Sequence, residues 1–553
     1  MTRAAEPYLS RVTRGAVSRR GIVRGGVMSA GAAAFLAACS SSSDSKSENR
    51  ATQDTSARAP GATATAAASE VKAGGELIYA TARDATTLDG HVGTLGDEVF
   101  VYNGLYDQSL IFNDEAQLIP NLAESFEQPD NTTIVFKYRA GVQFHDGTPF
   151  NATAAKANWD RYLNPATGTT GAASLSRKLA KYEQVDDRTM RVTLVQPDAI
   201  ALASIAGIRM ISPPAAERLG KDLARNPVGS GPFKFKEWLK DDHLTMTRNE
   251  QYWNAAKAPV RVPRVDTFTY KPIVEPTVML ANLKTRSIHI AGAVQAADFD
   301  RVKTEQGVVA VQRRPSSTSR MYINLTKAPT NDKRVREAIN LAIDRDAIGK
   351  ASYFGLGTPA KSYFAPTHWM YPKDRPAFRR DVTAAKAKLR EAGQENLRLD
   401  MILPAAEPYR TIAQVLQASL AEAGITVQIK QLESSQFLEA LRNKDGQLAL
   451  DAIGARNDPD GFFSGNFKAD SAFNFAGFND PQFEKALADG LTLTNQEQRR
   501  QIYLLAEQRL LDELPGAVLY NPPGLYAQLD EVQDYKVIDF VGATIDLAWL
   551  KKS

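Results

Sequence analysis

From Val382 to Ile453 the apolar pattern switches repeatedly between helical and strand periods, and this alternation limits the fold more than any other feature of the chain. Val382, Ala385, Leu389 and Ala392 recur at helical spacing, with Gly393 as a stop. Leu397 to Leu403 reads as a strand. Ile412 to Ala423, closed by Gly424, reads as a helix, and Ile425-Thr426-Val427-Gln428-Ile429 as the next strand. A helix over about Ser435 to Arg442 and a strand from Leu448 to Ile453 complete the run. Strands separated by helix-length segments predict an α/β layer with at least partly parallel strands.

The flanking regions extend this reading. Asp332 is placed to cap a helix whose Val335, Ala338, Ile339, Ala342 and Ile343 share one face. A helix over Gln496–Glu513 leads to Val518-Leu519-Tyr520 and a last segment through Trp549. In the first half, Glu76 to Ala80 reads as an early strand, and Ile134 to Tyr138 and Met190 to Leu194 alternate as half-buried strands. Thr153 is expected to cap a helix running through Trp159 toward Leu163. Phe233-Lys234-Phe235 and Leu244-Thr245-Met246 predict a hairpin across Asp241-Asp242. The sum is an α/β body containing a more strand-rich insertion, with no fixed-period repeat.

The N-terminal region follows different rules. Ser18-Arg19-Arg20-Gly21-Ile22-Val23-Arg24 is basic with paired arginines, and the apolar stretch from Gly25 to Ala38 is too short to span a bilayer as a mature helix. Cys39 is the single cysteine of the chain, so it forms no internal disulfide, and metal sites draw on several ligands. The paired arginines resemble a twin-arginine export signal, and Leu36-Ala37-Ala38-Cys39 resembles the lipobox of bacterial lipoproteins. The resemblance implies cleavage before Cys39, acylation there, and a membrane anchor on the extracytoplasmic side. Residues 39–74 are poor in large apolar side chains and read as a disordered linker reaching roughly 30–35 Å as a coil.

Charge excludes one class of partner. The formal net charge is +4, but residues 1–38 contribute +5 of it, so the mature chain is near −1. Nucleic-acid binding needs clustered Lys and Arg, and none is expected. No later stretch is long and apolar enough to cross a bilayer.

Several motifs carry a family resemblance. They are Leu122-Ala123-Glu124-Ser125-Phe126 with Phe136-Lys137-Tyr138-Arg139, and the run Gly141-Val142-Gln143-Phe144-His145-Asp146-Gly147-Thr148-Pro149-Phe150. Asn226-Pro227-Val228-Gly229-Ser230-Gly231-Pro232-Phe233 follows, with Arg248-Asn249 and Tyr252-Trp253, then Asp332 to Asp346, Asp458-Pro459-Asp460 and Asn479-Asp480-Pro481. In this order they resemble family 5 extracellular solute-binding proteins, the group that includes oligopeptide-, dipeptide- and nickel-binding proteins of ABC importers. On their own physical chemistry, His145 to Pro149 form a turn and Gly229 to Pro232 a crossover where backbone approaches backbone. Tyr252 and Trp253 read as core anchors, and Lys333-Arg334-Arg336 as a solvated helix face.

The resemblance implies a two-lobed, periplasmic-binding-protein-like α/β fold of the large three-domain type, with a hinge and an interlobe cleft. Lobe I would combine 75–112, 223–315 and 525–553; a subdomain over 113–222 would be inserted in it, and lobe II would span 316–524. A peptide or peptide-like solute would sit in the cleft and pass to the permease of an ABC importer, the carrier acting as a monomer without cofactor or metal. Open α/β sheets bind ligands beyond the carboxyl ends of their strands, which is where the loop from Gly454 to Phe462 lies. Peptide-binding relatives carry an ammonium-binding aspartate in this loop, near the place of Arg456 here. An arginine fork prefers carboxylate or phosphate, so Arg456 is either a ligand contact or a lobe-to-lobe salt bridge. Arg410 aligns with the region that supplies a carboxylate-binding arginine in dipeptide-binding relatives. Gly454, Asp458, Phe462, Asn474 and Phe475 in lobe II, and Tyr102 and Asn103 in lobe I, are further cleft candidates.

An enzyme is the main rival class. The chain has no Gly-x-Ser-x-Gly elbow, His-Glu-x-x-His, P-loop or dinucleotide fingerprint, and His91, His145, His243, His289 and His368 lack ligand spacing. A solute-sensing surface receptor without transport is the other alternative.

Overall fold

In a computed structural model, which describes residues 74–93, 99–113, 117–254, 263–453, 458–538, 542–543 and 548–551, the early strand runs from Glu76 to Thr81. The signal segment, Cys39, the linker up to residue 73, Gly454 and Arg456 lie outside the described residues. Glu76–Thr81 pairs in parallel with Thr267–Pro272 on one side and Ile290–Ala291 on the other. Around this parallel centre the other pairings are antiparallel, giving a seven-stranded sheet. Its order is Val308–Arg313, Gly524–Leu529, Ile290–Ala291, Glu76–Thr81, Thr267–Pro272, His243–Arg248, Phe233–Leu239. The hairpin across Asp241-Asp242 is present. Leu77, Tyr79, Phe233, Phe268 and Tyr270 bury one continuous core on this sheet.

The second large sheet is the α/β layer predicted from Val382 to Ile453. Leu397–Pro404 lies parallel to both Ile425–Leu432 and Leu448–Ile453, and the helices Tyr409–Ala421 and Ser434–Arg442 make the crossovers. Thr318–Ile323 then pairs antiparallel with Leu448–Ile453 and with Gly516–Asn521, and Thr358–Pro359 closes the six-stranded sheet. Asp332 caps the helix Lys333–Ala342 by accepting from the Arg334 amide, as expected, and Val335, Ala338, Ile339 and Ala342 are buried. The solvated-face reading needs a correction at Arg336, which is 4% exposed. Its guanidinium donates to the carbonyls of Glu513, Thr330 and Asn331, so the cation closes open backbone ends rather than facing water.

A four-stranded antiparallel sheet, Ala123–Glu127, Thr133–Tyr138, Thr189–Leu194 and Leu179–Gln184, forms the strand-rich insertion. Ile134, Phe136 and Tyr138 face Trp159 of the helix Ala152–Leu163. That helix is capped by Asn151, whose side chain accepts from the Ala154 amide. Thr153, expected to cap it, is the second residue of the helix and gives its hydroxyl to Gln184 instead. Asn151 starts the helix earlier because an Asn side chain satisfies a free amide as well as a Thr does.

Two polar knots fix this insertion to the seven-stranded sheet. Asp107, 3% exposed, accepts hydrogen bonds from Asn121, Ser230, Tyr252 and Trp253. Tyr252 is indeed buried, and both aromatic groups are tied to one carboxylate. The turn at His145 supplies the second knot. Gly147 takes φ 83°, the Asp146 carboxylate accepts from the Thr148 amide and the Ser212 hydroxyl, and the His145 ring accepts from the Gly229 amide and donates to the Gly231 carbonyl. The crossover is as close as expected: a Cβ on Gly231 would lie 2.5 Å from the Gly104 carbonyl oxygen.

His91 joins the same seam. Its Nε2–H donates to the Arg209 carbonyl and its Nδ1 accepts from Arg161, which also grips Asp89 with both Nη groups. Burial, assisted by the Arg161 charge, lowers the His91 pKa to about 4; burial likewise lowers that of His145 to about 4.

Two outcomes follow from these knots. Gly231→Ala should lower stability by about 1–3 kcal/mol through overpacking. Gly461→Ala, in a helix with open space at the Cβ, should be neutral or stabilising by up to ~1 kcal/mol; chemical denaturation of both variants checks the contrast. Both imidazoles stay neutral in the fold down to about pH 4 but take a proton near pH 6.5 when unfolded. The unfolded chain therefore binds more protons between those values, and stability falls as pH falls, by up to ~1.4 kcal/mol per pH unit for each imidazole. Melting curves from pH 7.5 to 4.5 should show this loss, and His145→Gln should reduce it.

Candidate functional site

The strands Leu397–Pro404 and Leu448–Ile453 end at one edge of the six-stranded sheet, and Thr318–Ile323 begins there. Open α/β layers hold their ligands at this edge. Arg320 stands directly opposite Asp451 across the antiparallel pair, two residues from the edge. The Arg320 guanidinium is 3% exposed and lies between two rings, with its Cζ 4.5 Å from the Tyr322 centroid and 5.0 Å from that of Phe462. Among the described residues its hydrogen bonds run through Nη2: to the Tyr322 hydroxyl, to Asp451 Oδ2 at 3.2 Å, and to Asn466 Oδ1 at 3.2 Å. The Tyr322 hydroxyl also donates to Asn466 Oδ1 at 2.7 Å. Among the described residues, Arg320 Nε and Nη1 have no hydrogen-bond partner although both are buried.

Tyr409, first residue of the helix after Leu397–Pro404, completes the group. Burial, then the negative charge of Asp451, pushes its hydroxyl pKa up to about 12, with the Arg320 charge opposing. Its hydroxyl therefore stays a donor at any physiological pH. The cluster offers a cation, an anion and hydroxyl donors between aromatic faces, chemistry suited to holding a charged organic head group. Among the described residues, no group of three or more His, Cys, Asp and Glu side chains is placed to hold a metal ion, and no helix is long and apolar enough to cross a membrane.

The residues picked from sequence fall in different surroundings. Phe462 borders the Arg320 guanidinium and is 1% exposed. Phe475 packs against the Tyr322 ring, and Asn474 spends its amide on the backbone of Lys468 and Phe478; both are buried. Asp458 caps the helix Pro459–Phe467 and is gripped by Arg499 through both carboxylate oxygens, at 2.5 and 2.9 Å. Beside it, burial and the Asp458 charge push the Asp460 carboxyl pKa up to about 6. Arg410 is on the surface, its side chain half exposed and 3.7 Å from Glu407. In the first sheet's layer, Tyr102 is fully buried beneath the Arg209 guanidinium and donates to the Thr87 carbonyl, while Asn103 is half-buried on the helix Val99–Leu105.

Sequence reasoning missed Arg320, Tyr322, Tyr409, Asp451 and Asn466. A signal existed: Arg320 and Asp451 are the charges inside Thr318–Ile323 and Leu448–Ile453, strands otherwise built from apolar and small neutral residues. Stability measurements should separate structural from exposed charges. Asp458→Ala should cost about 3–5 kcal/mol, because it leaves a largely buried arginine without its partner. Arg410→Ala should change stability by less than ~0.5 kcal/mol.

Comparison with known proteins agrees with this architecture. The family model described as bacterial extracellular solute-binding proteins, family 5 Middle, matches residues 117–475. The glutathione-binding protein GsiB of Pectobacterium atrosepticum is 29% identical over 484 residues, covering 83% of this chain and 91% of that protein. The dipeptide-binding protein of Escherichia coli K12 is 28% identical over 462 residues, covering 77% and 85% respectively. Among solved structures, the periplasmic binding protein DppA of Helicobacter pylori, in complex with peptide STSA, matches with a TM-score of 0.75 at 25% identity over 87% of this chain and 99% of that one. By its motifs, its fold and the span of this match, the chain belongs to the bacterial extracellular solute-binding proteins of family 5.

Proposed function

We propose that this chain, held at the outer face of the cell membrane by acyl chains on Cys39, captures a peptide or peptide-like solute between two lobes and hands it to the permease of an ABC importer. The observation that carries the reading is how the two large sheets are connected. The chain passes from one to the other at residues 314–317 and returns at 522–523, two short adjacent crossings of the kind that serve as a hinge. Lobe I comprises about 75–112, 223–315 and 525–553, carries the insertion 113–222, and faces lobe II over 316–524. Solute bound at the carboxyl edge of the lobe II sheet favours closure, and the closed shape is what a permease distinguishes from the empty one. The relatives named for glutathione and dipeptides support a peptide-like solute. A desolvated, charge-assisted hydrogen bond contributes about 1.5–3 kcal/mol, so a few such contacts suffice for tight capture.

Native mass spectrometry of the protein from its own host should find a retained solute released on denaturation. Titration with peptides should saturate at one molecule per chain with no product formed. Cleaved peptide accumulating over the titration contradicts the carrier reading, as does the lack of saturable binding across peptides and opine-like compounds.

A further inference from the structure

The pair Arg320–Asp451 is an ion pair in which neither partner is used up by the other. An arginine fork can satisfy a carboxylate through both oxygens, as Arg499 does with Asp458. Here Asp451 is met through Oδ2 alone, by Nη2 alone, at 3.2 Å. Nη2 serves three acceptors while, among the described residues, Nε and Nη1 serve none. Leaving buried donors without acceptors is unfavourable, and a core position that only needed packing would not keep an arginine there. The cluster also has an open side, because the Asp451 side chain is 27% exposed where that of Arg320 is 3% exposed. The rings of Tyr322 and Phe462 hold the guanidinium in place on its two faces.

Resting on the solute-capture reading above, the geometry points to Arg320 and Asp451 as a clamp for an α-amino-acid head group, the carboxylate taken by Arg320 and the ammonium by Asp451. Adjacent side chains of opposite charge, opposite each other in one strand pair, match a cation and an anion carried on the same carbon. An α-linked peptide separates its terminal charges by roughly 3.5 Å for every residue added. The solute class is therefore one that keeps a free amino-acid head, such as a γ-glutamyl peptide or an opine-like conjugate bearing a primary amine. Phosphates and dianions without an amine are disfavoured by the Asp451 charge. Tyr409 and Asn466 flank the clamp as neutral hydrogen-bonding groups.

Two isomers of identical formula and charge test this: γ-L-glutamyl-L-alanine, which keeps ammonium and carboxylate on one carbon, and α-L-glutamyl-L-alanine, which does not. Isothermal titration of the mature protein should show the γ isomer binding at least about tenfold more tightly. Asp451→Asn and Arg320→Lys should each bring the ratio to within about threefold, with melting temperatures recorded alongside. If Arg320→Lys does not fold, the partly exposed, isosteric Asp451→Asn decides alone. Equal or tighter binding of the α isomer overturns the clamp, as does a variant that keeps the wild-type ratio. Failure of both isomers to bind also overturns it, and capture of other peptides in the same titrations then leaves the carrier reading standing. That reading falls only if no solute binds saturably.

Discussion

The two short crossings at residues 314–317 and 522–523 set the terms for the rest of the molecule. A chain joined this way between its large sheets can move there only if each side is rigid on its own. On the first side rigidity comes from Asp107, a buried carboxylate that collects donors from three separate stretches: Asn121, Ser230, and the adjoining Tyr252 and Trp253. On the second side Glu507, fully buried, accepts from the Ser362 hydroxyl and the Tyr363 amide and pairs with Arg375 at 2.8 Å. Both carboxylates do what an apolar residue cannot: they fix the angle between segments distant in sequence. A further link runs from the insertion to the second side, where the Ala199 amide donates to the Leu491 carbonyl at 2.9 Å.

Charge placement then separates support from recognition. Arg336 and Arg499 are buried cations spent on backbone carbonyls or on a carboxylate of the same sheet's layer, and Arg345 gives Nε to the Val518 carbonyl and Nη2 to Asn340, leaving Nη1 alone without a partner among the described residues. Arg320 is as buried as these, yet two of its three nitrogens are idle among the described residues, and it stands at the edge where parallel strands end. Burial makes every electrostatic contact stronger and every unmade one more costly. Arg320 is thus the buried cation with the most unused donors among these arginines, and it is the one the clamp proposed above employs.

Much of this was legible in the sequence. The strand–helix alternation from Val382 to Ile453 reports burial on both sheet faces and short connections, which are local properties, and the parallel layer follows from them. The motif turns were legible for the same reason: Gly147 and Gly231 are required by backbone geometry within a few residues of themselves. Caps were harder, since Asn151 and Thr153 are both good capping residues and only the register of the helix against Gln184 decides between them. The site was least legible. Arg410, expected from the family resemblance to meet a carboxylate, is half exposed beside Glu407, a setting that neither its sequence position nor its helix spacing foretells. Arg320 is the one charge in the strand Thr318–Ile323, and its partner Asp451 is 131 residues away, reached through strand pairing that no local pattern records.

On the proposed reading, solute binding closes two rigid bodies about the crossings. The distance between spin labels on the two sides, at Leu239→Cys and Leu505→Cys, both exposed positions, in a Cys39→Ala background, reads this closure. Pulsed electron resonance should show a broad distance distribution for the emptied protein that narrows and shifts when the solute retained from the host is added back. Stoichiometric binding of that solute with an unchanged distribution would contradict the account.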